Sequence, residues 1–215
     1  MGTLIITGGS FDKNFLHNFI KNRKYDYVIA VDRGLCYAGE LGIIPDLIVG
    51  DFDSADKKLT DGYDQSLVRS FNPEKDDTDT EIAIREAVKH KSDIDIVCAT
   101  GGRIDHLLGN IHILKIALDE GIDARIIDRG NVVFLKNSDF KLVKGEWNGK
   151  YVSFIPFDGV VKGIKLKGFK YPLDGYDLKP GITKCISNEI VKDNAYVEIE
   201  SGCLIVVISL DIESE

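Results

Sequence analysis

The feature that most limits what this chain can fold into is the alternation, over residues 1–128, of short apolar runs with helix-length amphipathic stretches. Leu4 to Thr7, Tyr27 to Val31, Leu47 to Val49, Leu67 to Ser70, Ile94 to Ala99 and Ala124 to Ile127 read as strands, bounded by Gly, Pro and Asp. Between them Phe11 to Asn22, Arg33 to Leu41, Thr78 to Lys89 and Arg103 to Leu118 read as helices. On the last of these, Leu107, Leu108, Ile111, Leu114 and Leu118 form one apolar stripe. Strands alternating with helices predict an α/β domain built on a mainly parallel sheet. After Asp128 the pattern changes to β-rich pieces: Val132 to Lys136, Lys141 to Val143, Tyr151 to Ile155, Val160 to Leu166, Ala195 to Glu200 and Leu204 to Ser209. Turn-like Asn-Ser-Asp, Asn-Gly-Lys and Asp-Gly separate them, so residues 129–215 are expected to form an all-β domain, a sandwich or barrel of antiparallel strands.

Composition narrows the function classes. Hydrophobic residues make 44% of the chain and charged residues 29%, values of a folded globular protein and not of a disordered or fibrous one. The balance of 27 basic against 35 acidic residues, net −8, argues against a nucleic-acid partner held by phosphate contacts, so an anionic substrate needs a metal or local cations. The start has no basic leader and runs at once into Gly8-Gly9-Ser10, unlike a secretory signal. The longest apolar run, Cys203 to Ile208, falls far short of a membrane span, so no membrane association is expected. Cys36, Cys98, Cys185 and Cys203 are scattered in apolar sequence without C-x-x-C pairs, which predicts reduced, mostly buried thiols in a cytoplasmic protein.

Three segments carry chemistry. In Pro45 to Ser54 an apolar strand runs into Gly50 and then presents Asp51 and Asp53 on alternate positions, pointing to one side if the backbone stays extended. Like charges so placed repel unless a cation sits between them, and Mg²⁺ takes one or two carboxylates together with substrate phosphates. The competing explanation is that Asp51 and Ser54 cap a following helix or turn. In Asn72 to Glu81, Thr78 and Glu81 fit a capping box, whereas Lys75 beside Asp76, Asp77 and Asp79 points to a shared cation or a bridged polyphosphate. In Ala99 to Asn110 a strand runs through Gly101-Gly102 into a helix, leaving backbone N–H groups for an anion. Arg103 in the first turn opposes the helix dipole unless an anion is present, while Asp105, His106 and Asn110 fit equally well as a hydrogen-bonded helix face. No phosphate-loop, dinucleotide or nucleophile-elbow motif is present. All three segments follow predicted strands, so one site at the carboxyl edge of the sheet can gather them.

These residues together resemble the thiamine pyrophosphokinases of the bacterial type. The matching stretches are Val31 to Gly34, Pro45 to Ser54, Asp76 to Glu81, Gly101 to His106, Gly168 to Leu173 and Ser187 to Glu189, in order along nearly the whole chain. The resemblance implies transfer of a diphosphoryl group from ATP to the hydroxyl of thiamine, giving thiamine diphosphate and AMP. It implies Mg²⁺ on Asp51, Asp53 and Asp79, with Asp105, Arg103 and Lys75 at the reacting groups. Asp32, Asp76, Thr78, Gly101, Gly102 and His106 would contact ATP, and Ser187 and Asn188 would line the thiamine pocket. It further implies a homodimer with active sites at the subunit interface. Two other readings are open at this point: diphosphoryl transfer to another small alcohol such as a hydroxymethylpterin, or binding of nucleotide and thiamine without turnover.

Overall fold

The computed structural model describes residues 2–51, 62–70 and 77–211, and the chain divides into two compact units, Met1–Arg129 and Gly130–Glu215. In the first, β1 (Gly2–Ile6), β2 (Tyr27–Val31), β3 (Leu47–Gly50), β4 (Val68–Ser70), β5 (Asp93–Val97) and β6 (Ala124–Ile127) pair in parallel in the order β4-β3-β2-β1-β5-β6. The connections carry α1 (Lys13–Lys21), α2 (Gly34–Leu41), α3 (Asp79–Ala87) and α4 (Ile104–Asp119). The expected α/β domain with a mainly parallel sheet is what forms. Strand β1 is paired on both edges, with Ile5 beside Ile29 of β2 and Ile96 of β5. Leu4, Ile5, Ile6, Ile29, Ile94 and Ile96 are fully buried, which is why these strands read as unbroken apolar runs. Helix α2 packs on β1 and β2, α3 on β1, β2, β3 and α4, and α4 on β6.

Local sequence sets the helix ends. Asp12 caps α1 by accepting from Phe15 N at 2.9 Å, and Gly42 closes α2 with φ 70° and its N–H on Ala38 and Gly39 carbonyls. Helix α4 departs from its expected stripe: Leu114 and Ala117 are buried, but Leu108 is 54% exposed. The first two turns of α4 border an open cleft, through Arg103, His106 and Asn110, so Leu108 gains no cover from the sheet.

A buried polar cluster ties the sheet together. Asp95 of β5, only 6% exposed, accepts from the Tyr25 hydroxyl at 2.7 Å and pairs with Arg125 of β6 at 3.3 Å and Arg23 at 3.7 Å. Burial, and then the Asp95 charge, drives the Tyr25 phenol far above its ordinary range. A charge so enclosed is tolerated only because its partners satisfy it.

The second unit is all-β, as expected. One antiparallel sheet runs β7 (Asn131–Lys136), β13 (Leu204–Ser209), β9 (Tyr151–Pro156), with Val206 between Phe134 and Phe154. The other runs β11 (Leu173–Leu178), β10 (Val161–Lys167), β12 (Asn194–Glu198), β8 (Phe140–Val143). Phe140 of the second sheet touches Phe134 and Phe154 of the first at ring separations of 6.3 and 6.5 Å, and Phe154 meets Phe169 edge-on at 5.6 Å. Strand β11 is absent from the sequence reading because Leu173–Leu178 carries Asp174, Gly175 and Asp177 and buries only Leu178.

The Asp95 cluster yields a stability prediction. Asp95→Ala leaves Arg125 and Tyr25 without their shared acceptor and should lower the unfolding free energy by about 3 kcal/mol in urea denaturation. A loss below about 1 kcal/mol would show that the cluster is peripheral to stability.

Candidate active site

Because β1, β2, β3 and β5 run in one direction, the loops leaving their carboxyl ends emerge along one edge of the sheet. There the loops after β1, β2 and β5 border a cleft of about 440 Å³. Thr7 to Ser10 after β1, Asp32 and Arg33 after β2, Thr80 at the start of α3, Cys98 to Arg103 after β5, and His106 and Asn110 of α4 line it. Of the residues expected around ATP, Asp32, Gly101, Gly102 and His106 are gathered here, together with Arg103. The segment Thr7 to Ser10 has no place in the sequence reading of the site. Its only signal was the Gly-Gly-Ser after a strand, the same strand-to-glycine pattern recognised at Gly101-Gly102.

The backbone is strained where it meets this cleft. Asp32 and Cys98 hold φ of 51° and 58°, a left-handed region that Asp tolerates and Cys seldom enters, so the strain lies at Cys98. Asp32 donates its N–H to Val49 O at 2.9 Å, tying the end of β2 to β3. Cys98 is 2% exposed, and desolvation lifts its thiol to about 12, so it is a packed side chain and not a nucleophile. Gly101 is required for a different reason: it has φ 83°, and a Cβ there would collide with Ser10 Oγ.

Arg103 is the N-cap residue of α4 and donates to Asp105, Nε to Oδ1 at 3.1 Å and Nη2 to Oδ2 at 2.5 Å. The anion that Arg103 needs against the helix dipole is supplied within the chain, by Asp105 in the first turn. Hydrogen bonding to Arg103 holds the Asp105 carboxyl below the usual carboxylate range, and the same bond raises the guanidinium. Both side chains remain well exposed, at 71% and 63%, so this pair opens readily to a ligand.

The acidic groups are only partly visible. Asp51 is exposed immediately after β3, and Asp79 is the first residue of α3. Thr78 caps α3 by accepting from Glu81 N at 3.2 Å, while the Glu81 carboxylate pairs with Arg85 at 2.6 Å. Asp53, Lys75 and Asp76 lie outside the described residues. Among the described residues no three His, Cys, Asp or Glu side chains converge as a metal site. Two carboxylates on separate elements suit a hard cation that draws its remaining ligands from water and phosphate, which is the habit of Mg²⁺.

In the second unit Ser187 is also left-handed, at φ 56°, and its N–H donates to Ser153 Oγ at 2.9 Å. Asn188 is 3% exposed. Its Nδ2 donates to Tyr171 O at 2.8 Å, and its Oδ1 accepts from Tyr171 N at 3.0 Å and Glu189 N at 2.9 Å. Asn188 thus clamps the backbone of Tyr171, whose own side chain is 57% exposed.

Comparisons with known proteins bear on this arrangement. The family model described as thiamin pyrophosphokinase, catalytic domain, matches residues 17–126, and the thiamin pyrophosphokinase, vitamin B1 binding domain, matches residues 138–204. A Bacillus subtilis thiamine pyrophosphokinase is 36% identical over 187 residues, covering 85% of this chain and 87% of that protein. The crystal structure of thiamine pyrophosphokinase from B. subtilis superposes with TM-score 0.86 at 32% identity, covering 99% of this chain and 100% of that one. That of Geobacillus thermodenitrificans gives 0.82 at 32% identity, covering 98% of each.

The burial of Cys98 is directly measurable. Iodoacetamide at pH 8 should leave Cys98 unmodified in the folded protein and label it on denaturation, as read by peptide mass spectrometry. Labelling as fast as that of the half-buried Cys36 would show that the strained end of β5 opens in solution.

Proposed function

The chain belongs to the thiamine pyrophosphokinase family, and from that premise we propose that it transfers a diphosphoryl group from ATP to the hydroxyl of thiamine, giving thiamine diphosphate and AMP. The observation that carries the reading to particular residues is the cleft at the strand ends, where Gly101, Gly102 and Arg103 meet Asp32 and His106. In this reading residues 1–128 handle ATP and residues 129–215 hold thiamine.

The polyphosphate lies against the backbone N–H groups of the Gly101-Gly102 turn at the positive end of α4. Arg103 exchanges the Asp105 carboxylate for phosphate oxygens, a swap of one bidentate partner for another. The exchange matters for the second carboxylate. While paired, Asp105 is a weak base held ionised; once Arg103 has turned to phosphate, Asp105 regains basicity beside the reacting groups. It then accepts the proton of the thiamine hydroxyl as the oxygen attacks the β-phosphorus, or orients that hydroxyl when the transition state is loose. Lys75 joins Arg103 in stabilising charge on the transferred group and the departing AMP, with Asp76 and Thr78 beside the nucleotide.

Asp51 and Asp79, with Asp53, would hold Mg²⁺. When bound, the ion would neutralise charge on phosphate oxygens. On the β side, Ser187 and the exposed Tyr171 face the thiamine, and Asn188 fixes the Tyr171 backbone. We also place the protein in the cytoplasm as a homodimer with active sites at the subunit interface. The four free cysteines support a reducing compartment, and among the described residues no helix is long and apolar enough to cross a membrane. Ile104 and Leu108, 73% and 54% exposed on the helix that borders the cleft, support a partner surface there.

AMP release from Mg-ATP should follow addition of thiamine and not of a hydroxymethylpterin. AMP formation with the pterin alone would replace thiamine as the acceptor, and none with either alcohol would reduce the protein to a binder. In the same assay Arg103→Ala should cost about 100-fold in kcat, the usual loss on removing a preorganised charge-stabilising donor. Because Arg103 is exposed, its thermal midpoint should stay near that of the wild type; preserved kcat with lowered stability would make Arg103 structural.

A further inference from the structure

Three consecutive carbonyl oxygens at the end of β5 are each held by a different group. Cys98 O accepts from Thr7 Oγ1 at 2.5 Å and from Gly9 N at 2.7 Å. Ala99 O accepts from Asn110 Nδ2 at 2.9 Å. Thr100 O accepts from Ser10 N at 2.8 Å. Among the described residues, by contrast, the amide N–H groups of Thr100, Gly101 and Gly102 have no acceptor, and these residues line the cleft. The segment is therefore polarised, with the carbonyls of Cys98, Ala99 and Thr100 occupied by the loop after β1 and by α4 and the amides of Thr100, Gly101 and Gly102 unfilled. A polyanion meeting this turn finds hydrogen-bond donors, while the three carbonyls at the end of β5 are already held by other partners.

The geometry points to Thr7 and Asn110 as positioning residues for the polyphosphate: neither donates to it in this scheme, and each acts by holding a carbonyl. Thr7 is 4% exposed, and its hydroxyl also lies 3.4 Å from Val97 O, so its donor capacity is spent entirely on the end of β5. Cys98 shows what this contact holds in place, a left-handed residue whose carbonyl faces the β1 loop. Gly9 completes the lock, because a Cβ there would lie 2.7 Å from Thr100 O and still closer to Cys98 O. This inference rests on the reading of the cleft as the ATP site.

Thr7→Val removes the hydroxyl at constant shape, Thr7→Ser retains it, and Asn110→Leu removes the second donor on an independent element. With Mg-ATP and thiamine varied in turn, Thr7→Val and Asn110→Leu should each raise KM for Mg-ATP about tenfold, as one lost hydrogen bond to the turn predicts. KM for thiamine should be unchanged, and Thr7→Ser should lie within about twofold of wild type on both. A structural role would instead lower the thermal midpoint and disturb both substrates alike, and that result overturns the assignment. Unchanged KM for Mg-ATP in folded Thr7→Val and Asn110→Leu also overturns it. Direct titration with the magnesium complex of α,β-methylene-ATP separates this from the underlying reading. If the wild type binds the analogue and the variants bind it equally well, the carbonyl locks are irrelevant while the ATP site stands. If the wild type does not bind it, the ATP site itself is wrong. Should Thr7→Val fail to fold, Asn110→Leu, at a half-buried position, decides the question.

Discussion

The parallel pairing of β1 with β5, continued past the strand ends into their loops, is the constraint on which the site depends. Within the sheet the pairing runs from Gly2 beside Asp93 to Ile6 beside Val97. Beyond it the ladder does not stop, because Thr7, Gly9 and Ser10 keep donating to Val97, Cys98 and Thr100. Two strands that would otherwise release flexible glycine loops are zipped for several residues more, and the cost appears as a left-handed Cys98. Strain of this kind persists only where its surroundings overdetermine it. Here a buried threonine, a glycine without room for a side chain and an asparagine from α4 do so.

The same economy of polar groups recurs in the second unit. Asn188 spends its side chain on the backbone of Tyr171, and the left-handed Ser187 lies next to it, bonded to Ser153. In both units a buried polar side chain fixes main chain, Thr7 at the Cys98 carbonyl in one and Asn188 at the backbone of the exposed Tyr171 in the other. The family resemblance implies Asn188 in the thiamine pocket, and the structure adds that its side chain holds the Tyr171 backbone. What it contacts depends on pairing between residues seventeen positions apart, as in the 2.8 Å bond to Tyr171 O, and local spacing does not disclose that.

Much of the fold was legible because both periodicities were strong. The buried parallel strands appear as apolar runs, and Tyr27–Val31 and Ala124–Ile127 match their expected limits. What escaped was set by tertiary context. Strand β11 pairs with β10 through an irregular register and shows water most of its side chains, so it lacks the apolar signature of a strand. Leu108 sits at a correct helical spacing on a turn that overhangs a cleft. At the site, Arg103 and the paired glycines were visible from charge and turn chemistry, yet the Arg103–Asp105 pair was not foreseen as an internal balance. The Thr7 to Ser10 loop escaped because its role is backbone bonding to a segment about ninety residues away, as in the Thr7 to Cys98 bond.

The central claim is that a polarised turn after β5 receives the polyphosphate. Amide chemical shifts of the full-length protein, followed while the magnesium complex of α,β-methylene-ATP is titrated in, test it most directly. The account predicts saturable movement of the Thr100, Gly101, Gly102 and Arg103 amides, consistent with new hydrogen bonds to anionic oxygen. Saturable binding that leaves these four amides unmoved while shifting others would contradict it.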